Sequence, residues 1–431
     1  MNWRQKIHLE PREGWMNDPN GLCYFAGNYH VFFQYSPDSP EGSGRKCWGH
    51  FVSPDLKSFE YKGIVFYPDI PEDINGAFSG GAIVKDGNMH IFYTGNVEYP
   101  GDYDYINEGR GANQIHVVSS DGELFGGKKV ILRNKDYPCD CSCHVRDPKV
   151  WIEDGKWKMV LGARTKDGRG EVLFFEADDP DEWKFVKLLT SPDMGYMWEC
   201  PDLFTVGDKK YLAICPQGLS HEEYRYQNVY SSGYFGFKDG ELTDFEEFDY
   251  GFDFYAPQTF LDENGDRILI GWMGIGDIPY QNPTTELGWQ HCLTIPRKLT
   301  SSPDGGICQI PLAEYCDYKE GEPFAVILDR DKVYESFTIY VGDAVIRYDR
   351  RVLSLEFGKS GYGRNIRKVR CGILSDLKIL ADSSSLEIFV NGGRYVLSSR
   401  FYPDETPIIR SYGCEVRPEG IKPLKISWNL P

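Results

Sequence analysis

A strand–turn–strand pattern recurs five times along the N-terminal two thirds of this 431-residue sequence, and it restricts the possible folds more than any other feature. In each unit, two short apolar runs flank a turn that contains glycine, which is a strong signal for a β-hairpin. The turns are Ala26-Gly27, Asp86-Gly87, Asp154-Gly155, Gly207-Asp208 and Asn264-Gly265. Their spacing of about 55 to 70 residues is longer than, but similar to, the repeat of known propeller blades. The pattern predicts a five-bladed β-propeller, with four-stranded blades around a central channel.

The start of each unit offers a set of equivalent positions. They are occupied by Asp18, Ser79, Asp147, Asp202 and Gln258. Rotational symmetry brings equivalent positions of successive blades toward one axis. We therefore expect these five side chains to converge, together with Glu199, which lies just before the fourth unit.

Three acidic residues occur in similar local sequences. Asp18 and Asp147 directly precede a proline, and Glu199 is followed by Cys200-Pro201. Proline fixes its own φ angle and pushes the preceding residue toward extended conformations. Each acid is therefore predicted at the entrance of a strand and not on a helix. Carboxylates that converge from separate strands can form an acid/base site.

The C-terminal quarter of the chain lacks the repeated unit. Its short predicted strands are Phe337–Val341, Val352–Phe357, Cys371–Leu380, Leu386–Val390 and Lys425–Trp428. Such a series favours a separate β-sandwich. With 15% aromatic residues, 46 glycines and almost no helical periodicity, the whole chain is predicted to be all-β. The predicted division is a catalytic propeller domain at 1–305, a linker at 306–330 and a sandwich at 331–431.

The charge balance argues against two classes of partner. The 47 basic and 65 acidic residues give a net charge of −18, which disfavours generic binding to nucleic acid or anionic membranes. No stretch approaches the roughly 18 apolar residues of a membrane span, and the sequence begins without an apolar signal core. Twelve cysteines are too sparse for a disulfide scaffold at this length. We expect a cytoplasmic protein with reduced thiols, either a monomer or a homodimer.

One cysteine cluster invites a metal assignment. Cys139, Cys141, Cys143 and His144 lie within six residues, but their spacing differs from the paired cysteines of structural zinc sites. We interpret the segment as a polar loop, with His144 near the mouth of a cavity. Glycine-rich nucleotide-binding loops and a Gly-x-Ser-x-Gly motif are also missing from the sequence. We expect neither a metal nor an organic cofactor, so the chemistry must come from carboxylates and hydrogen bonds.

Six ordered motifs resemble glycoside hydrolase family 32, which includes invertases, fructan hydrolases and sucrose-6-phosphate hydrolases. They are Trp15–Gly21, Phe33-Gln34-Tyr35, Trp48-Gly49-His50, Phe78-Ser79-Gly80, Arg146-Asp147-Pro148 and Glu199-Cys200-Pro201. The resemblance covers essentially the whole chain and implies a five-bladed propeller followed by a β-sandwich. Three segments are most similar to the intracellular bacterial sucrose or sucrose-6-phosphate hydrolases, namely Met197–Phe204, Pro216–Gly218 and Asp253–Gln258.

The resemblance implies retaining hydrolysis of a β-fructofuranosyl bond, by two carboxyl groups about 5–5.5 Å apart. Asp18 would be the nucleophile, and Glu199 the general acid and then the general base. Asp147 would bind fructose hydroxyls and stabilise the transition state. The scheme requires Asp18 to be ionised while Glu199 holds its proton near neutral pH, a difference that neighbouring carboxylates favour. Cys200 is expected to add an apolar neighbour to Glu199.

A pocket for one sugar ring is expected around the acids. The candidates for hydrogen bonds to the sugar are Asn17, Gln34, Ser79 and Arg146, and those for stacking or apolar walls are Trp48, Phe78, Tyr255 and Trp272. Alternatively, Arg146 keeps Asp147 ionised and the aromatic residues pack in the propeller core. Asp202 is interpreted as an acceptor of backbone hydrogen bonds at a strand turn.

The leaving group is not determined by the sequence. A phosphate would need Arg or Lys, and the candidates are Arg45, Lys46, Arg164, Lys166 and Arg225. Sucrose, sucrose-6-phosphate and short fructo-oligosaccharides all stay open as substrates. The alternatives of other classes are a related five-bladed furanosidase, such as an arabinan-cleaving enzyme, and a non-catalytic carbohydrate-binding propeller.

Overall fold

The structure is a computed structural model, which describes residues 3–328, 332 and 334–428. Over those residues, the helical elements are three short 3₁₀ helices, Asn134–Asp136, Pro283–Leu287 and Lys359–Gly361, and all other regular elements are strands. The all-β prediction is confirmed. The same residues contain no helix with the length and apolar character needed to cross a membrane.

The first four blades are antiparallel sheets in which consecutive strands pair. Blade 1 contains β1 (Gly14–Phe25), β2 (Asn28–Ser36), β3 (Cys47–Ser53) and β4 (Ser58–Phe66). Blade 2 contains β5 (Gly76–Lys85), β6 (Asn88–Glu98), β7 (Arg110–Ser119) and β8 (Lys129–Leu132). Blade 3 contains β9 (Cys141–Glu153), β10 (Lys156–Thr165), β11 (Gly170–Ala177) and β12 (Lys184–Leu189). Blade 4 contains β13 (Met197–Val206), β14 (Lys209–Gln217), β15 (Gly233–Lys238) and β16 (Glu241–Glu247).

The fifth blade also closes the ring. It contains β17 (Tyr255–Leu261), β18 (Arg267–Met273), the two-residue strand β20 (Cys292–Leu293), β21 (Arg297–Ser301) and β22 (Ile307–Pro311), and the two-residue strand β19 (Trp289–Gln290) comes directly before β20 in the chain. β19 pairs in parallel with β1, which joins the last blade to the first. The first strands of the five blades contact one another around the axis, so each contributes side chains to the centre.

The remaining strands form two packed sheets. They are β23 (Tyr315–Cys316), β24 (Phe324–Leu328), β25 (Ser336–Val341), β26 (Ala344–Asp349), β27 (Val352–Glu356), β28 (Ile366–Arg370), β29 (Leu377–Asp382), β30 (Ser385–Val390), β31 (Tyr395–Arg400), β32 (Ile409–Tyr412) and β33 (Pro418–Ile421), and the exception is the last strand, β34 (Lys425–Trp428), which lies outside both sheets. One sheet has the order β23-β33-β24-β29-β30-β31 and the other β28-β27-β26-β25-β32. Apolar side chains such as Ile339, Leu355 and Ile388 fill a shared core, as expected for a sandwich.

Two predicted segments differ from this arrangement. The region 306–330, predicted as a linker, contains β22 of the fifth blade and β24 of the sandwich. The strand Lys425–Trp428, predicted in the sandwich, instead pairs in parallel with β4 at the outer edge of blade 1. A short strand carries no sequence signal for its partner, because pairing depends on where the chain returns in space.

A buried ionic network joins the propeller to the sandwich. His8 lies between Asp382 and Glu387, with its two ring nitrogens 2.9 and 2.8 Å from their oxygens. Arg297 contacts the second oxygen of Glu387 at 2.5 Å. Burial alone lowers the pKa of His8, but the two carboxylates outweigh it and raise the pKa to about 9. The N-terminal segment is thereby fixed to the sandwich by charges that have no access to water.

Every inner strand carries a β-bulge at the same place. The shift in pairing lies between Met16 and Pro19 in β1, Ala77 and Gly80 in β5, Arg146 and Lys149 in β9, Glu199 and Asp202 in β13, and Tyr255 and Gln258 in β17. A bulge inserts an extra residue and re-aims the side chains around it. The acids therefore lie inside strands, at bulges, and not at the strand entrances that the prolines suggested.

The bulges also correct the predicted equivalence of five positions. In each bulge two residues lack a partner on the next strand. Asp147 is the first of the two in β9 and Asp18 is the second in β1. Glu199 comes directly before the unpaired residues of β13, whereas Asp202 and Gln258 come directly after those of β13 and β17. Asp202 accepts hydrogen bonds from the backbone and hydroxyl of Thr259, and Gln258 donates to a backbone oxygen of β5. Asp202 thus accepts a backbone hydrogen bond as predicted, but neither residue lines the cavity.

Candidate active site

A cavity of about 290 Å³ opens where the five inner strands meet, and every blade contributes to its wall. Its lining residues are Asn17, Asp18, Gln34, Lys46, Phe78, Ser79, Arg110, His144, Arg146, Asp147, Glu199, Gln217, Tyr230, Tyr255, Trp272, Gly276 and Asp277. A larger cavity of about 680 Å³ lies beside Tyr61 and Trp428, but Glu13 is its one carboxylate. The convergence of acids, and not size, identifies the candidate site.

Asp18 is held by two hydrogen-bond donors. Ser79 Oγ donates to one carboxylate oxygen at 2.5 Å, and Asn17 Nδ2 donates to the other at 3.0 Å. Asn17 is oriented in turn by Gln34 and by the indole nitrogen of Trp15. Burial raises the pKa of Asp18, while the hydrogen bonds from Ser79 and Asn17 oppose that shift. The two donors thus favour the charged form that a nucleophile needs.

Glu199 has the most crowded carboxylate in the cavity. Arg146 donates to Oε1 through Nε at 3.0 Å and Nη2 at 2.7 Å. Oε2 accepts from Gln217 Nε2 and from the Tyr255 hydroxyl, each at 2.7 Å. His144 lies behind the guanidinium, with Nδ1 2.6 Å from Nη1. Arg146 is therefore the ion-pair partner of Glu199, and its guanidinium acts on Asp147 through charge without a hydrogen bond.

Asp147 is the most buried of the three acids. It has a positive φ of 64°, and its carboxylate accepts a hydrogen bond from the Cys200 backbone N–H at 2.9 Å. Burial raises the pKa of Asp147, the charge of Arg146 lowers it and the charges of Glu199 and Asp18 raise it, so that the pKa is about 7. The Cys200 thiol lies 3.9 Å from an Asp18 oxygen and 3.7 Å from an Asp147 oxygen. The Cys200 side chain therefore contacts both aspartates.

Most of the predicted sugar-binding residues line the cavity. They are Asn17, Gln34, Phe78, Ser79, Arg146, Tyr255 and Trp272. Trp48 is an exception, because it is fully buried and its indole donates to the backbone oxygen of Phe78 at 2.9 Å. Trp48 lies on β3, one strand further from the axis than β2, so it supports the wall from behind.

The structure adds residues that the sequence did not single out as cavity groups. Gln217 lies on β14, which pairs with β13, and this pairing explains its contact with Glu199. The register of the hairpin formed by β13 and β14 could have revealed Gln217 as a cavity residue. Arg110, Tyr230 and Asp277 also line the cavity, and His144 does so as predicted for the cavity mouth. Arg110, Tyr230 and Asp277 are far from the three acids in the sequence, so no local sequence pattern identifies them as cavity residues.

One of the five predicted phosphate-binding candidates reaches the cavity. Lys46 lines it, with Nζ bonded to Ser36 and to a backbone oxygen. The other four are absent from the lining and are engaged elsewhere in the described structure. Arg45 pairs with Asp38, Arg164 packs on the ring of Tyr196, Lys166 donates to Cys139, and Arg225 donates to Phe245.

Two family models match the chain. The "Glycosyl hydrolases family 32 N-terminal domain" covers residues 8–311, and the "Glycosyl hydrolases family 32 C terminal" covers residues 347–420. This chain belongs to glycoside hydrolase family 32. The resemblance seen in six motifs is confirmed, and the protein is a glycoside hydrolase of the β-fructofuranosidase type, with a propeller followed by a sandwich.

Similar proteins support this membership over the whole chain. The sucrose-6-phosphate hydrolase of Bacillus subtilis is 38% identical, over 93% of this chain and 89% of that protein. The raffinose invertase of Escherichia coli is 36% identical, over 93% of this chain and 90% of that protein. Among solved structures, the sucrose-6-phosphate hydrolase from Lactobacillus gasseri superposes with a TM-score of 0.84 at 28% identity, over 98% and 93% of the two chains. A mutant β-fructofuranosidase of Bombyx mori, solved with sucrose, has a TM-score of 0.81 at 28% identity, over 99% and 95%.

Proposed function

We propose that this enzyme hydrolyses the β-fructofuranosyl bond of sucrose or sucrose-6-phosphate by double displacement, with Asp18, Asp147 and Glu199 as its catalytic groups. The observation that carries the proposal is the convergence of these three carboxylates, each from the bulge of a different inner strand, in one cavity. Relatives over most of the chain are named sucrose-6-phosphate hydrolase and raffinose invertase. Fructo-oligosaccharides remain the alternative substrates of the same site.

In the first step Asp18 attacks the anomeric carbon of the fructofuranosyl unit. The bond from that carbon to the bridging oxygen breaks, and Glu199 gives its proton to the oxygen of the leaving sugar. In the second step Glu199 takes a proton from water, which attacks the same carbon and releases Asp18. The anomeric configuration is retained because the carbon is inverted twice.

Asp147 is suited to hold the sugar while charge develops. Its carboxylate is anchored by the Cys200 backbone, and its backbone N–H donates to Thr94 at 3.0 Å, so the group is fixed before substrate enters. In its ionised form, this fixed acceptor for sugar hydroxyls also places negative charge near the oxocarbenium-like transition state. Binding of those hydroxyls and electrostatic stabilisation then come from one side chain.

The remaining lining divides into hydrogen-bonding and apolar parts. Asn17, Gln34 and Ser79 form one polar wall on blades 1 and 2, while Phe78 and Trp272 supply ring surfaces. A cavity of about 290 Å³ suits one sugar ring at its base, with the second sugar toward the mouth. This geometry favours cleavage from a terminal fructose unit.

For a phosphorylated leaving group, two cations are available in the wall. Arg146 is occupied by Glu199, which leaves Lys46 and Arg110 as the basic groups that a phosphate can approach. Arg110 donates to Asn96 through Nη1 and to Glu98 through Nη2, and the exposed Glu98 leaves the second contact open to solvent. We also propose a cytoplasmic monomer or homodimer, in keeping with twelve unpaired cysteines.

The initial rate of fructose release from sucrose and from sucrose-6-phosphate, at pH 6 to 7, tests this function. The wild type and the control Asp38→Asn, an exposed acid paired with Arg45, should release fructose at equal rates. Asp18→Asn should lose at least about 10³-fold in kcat, because the amide cannot act as a nucleophile. Normal turnover by Asp18→Asn would contradict its assignment, and binding without turnover by the wild type would favour a carbohydrate-binding protein.

A further inference from the structure

A group of three metal-ligand types lies on the third blade, outside the lining of the catalytic cavity. One ligand atom each from Asp140, Cys141 and Glu171 lies within 4.8 Å of the other two. Cys141 begins β9 and Glu171 lies on β11, with β10 between them. On that middle strand Thr165 pairs with Cys141, and Ala163 pairs with Glu171. The sheet therefore brings together groups that are about thirty residues apart in the chain.

Glu171 provides a second observation that points to a ligand. The residue is fully buried, and its Oε1 lies 3.6 Å from the Cys141 sulfur. Its Oε2 has no hydrogen-bond partner within the described part of the chain. The Arg169 guanidinium is 3.8 Å from that oxygen, which is too long for a hydrogen bond. A buried carboxylate oxygen without a partner is costly, and a cation bound by this carboxylate would lower the cost because its charge acts on both oxygens.

The spacing of the ligand atoms fits a tetrahedral zinc ion. Zinc binds cysteine sulfur at about 2.3 Å and carboxylate oxygen at about 2.1 Å, which places the two atoms about 3.6 Å apart at the tetrahedral angle. The Cys141 sulfur and Oε1 of Glu171 are separated by the same distance, 3.6 Å. No large rearrangement of β9 or β11 is needed for both to bind one ion.

We propose that Asp140, Cys141 and Glu171 form a zinc site with water as the fourth ligand. Two carboxylates and one thiolate suit zinc, whereas Mg²⁺ and Ca²⁺ prefer oxygen ligands alone. On binding, the Cys141 thiol releases its proton to solvent and the sulfur bonds to the metal. The neighbouring cysteines Cys139 and Cys143 take no part, so the site was invisible to an argument based on cysteine spacing.

The ion would have a structural role close to the catalytic residues. It would tie the first residue of β9 to β11, and β9 carries both Arg146 and Asp147 further along. Asp140 is exposed and Glu171 is buried, so the ion would sit at the rim of the blade, with its water toward solvent. Metal removal is expected to lower stability first and to affect turnover only through the position of β9.

The test uses the full-length protein, stripped with a chelator and titrated with Zn²⁺ against a chromophoric competitor. The wild type should bind one equivalent, as counted by elemental analysis, and its Tm should rise with zinc. Cys141→Ser and Asp140→Asn each alter a proposed ligand. They should weaken zinc binding by more than roughly 10- to 100-fold, which is the loss typical when only a residue that contacts a ligand is changed. Asp140→Asn alters an exposed side chain, so it is the variant least expected to disturb folding.

Cys139→Ser is the matched control, because it removes an exposed thiol from the same loop and leaves the three ligands in place. It should bind zinc as the wild type does. With Co²⁺, a thiolate charge-transfer band in the near ultraviolet should appear in the wild type and in Cys139→Ser, and be absent in Cys141→Ser. Equal zinc uptake by the wild type, Cys141→Ser and Asp140→Asn, or no stoichiometric uptake by the wild type, would overturn the proposal.

Discussion

Arg146 donates both of its hydrogen bonds with Glu199 to the same carboxylate oxygen, Oε1, through Nε at 3.0 Å and Nη2 at 2.7 Å. A guanidinium has no acceptor, so a proton on Glu199 cannot face Arg146. The other oxygen faces the Gln217 amide, which donates, and the Tyr255 hydroxyl, which can donate or accept. In the proposed mechanism Glu199 is the general acid, and its proton then belongs on Oε2, where the Tyr255 oxygen can accept it.

Tyr255→Phe should slow the step that needs this proton. We expect kcat to fall at least about tenfold on sucrose, and much less on an aryl fructoside whose leaving group needs little protonation. Tyr230→Phe is the matched control, since its hydroxyl lies in the same cavity but donates to Asp277. Steady-state rates on both substrates check this. An equal loss on the two substrates would contradict a role in proton delivery.

Ser79→Ala should change the pH dependence of the reaction. The hydrogen bond from Ser79 lowers the pKa of Asp18, so its removal raises that pKa, and a larger fraction of the nucleophile is protonated at a given pH. The acidic limb of the kcat/KM profile should therefore move to higher pH, and the rate near neutral pH should fall about tenfold. A limb that stays in place would show that Asp18 does not set it. Ser58→Ala, whose hydroxyl lies beside Asp55, is the control.

Trp48→Phe should affect stability and leave substrate affinity largely unchanged. The residue is fully buried, and the change removes both ring volume and the hydrogen bond to Phe78. We expect the free energy of unfolding to fall by about 1–3 kcal/mol, as measured by denaturant titration. KM for sucrose should change less than about twofold, because no atom of Trp48 lines the cavity. A large rise in KM with normal stability would restore the sugar-binding role predicted from the sequence.

The His8 network should make stability depend on alkaline pH. The pKa of His8 is about 9 in the folded protein and about 6.5 in an unfolded chain, so the folded state binds this proton more tightly. Its contribution of about 3 kcal/mol is complete below pH ~6.5 and is lost as pH rises through about 9. Tm should fall between these values in the wild type and in His221→Gln, an exposed control. The fall should be smaller in His8→Gln, and an unchanged pH dependence would contradict the assignment.

The sequence predicted the architecture because a propeller repeats a local signal. Gly-containing turns between apolar runs mark each hairpin, and five of them at similar spacing determine the ring. The final strand was misplaced because Lys425–Trp428 pairs with β4, a contact between the two ends of the fold. Nothing in four residues of β-sequence identifies such a partner.

The catalytic cavity was predicted less completely than the fold. Asp18, Asp147 and Glu199 stand in recognisable local sequences, but the bulges that aim them change which positions are equivalent, and Asp202 was misplaced for that reason. Gln217 and Arg110 reach the cavity only through pairing with a neighbouring strand. Trp48 was assigned to the sugar because an aromatic residue in a motif does not reveal whether it faces the cavity or the core.

The central claim is that Asp18 forms a bond to the fructosyl unit, and trapping that intermediate tests it most directly. The enzyme is mixed with excess substrate, quenched in acid within one turnover, digested and analysed by mass spectrometry. We predict one fructosyl group on the peptide that contains Asp18, and none after the same treatment of Asp18→Asn. A fructosyl group on the peptide that contains Asp147 or Glu199 would contradict the account.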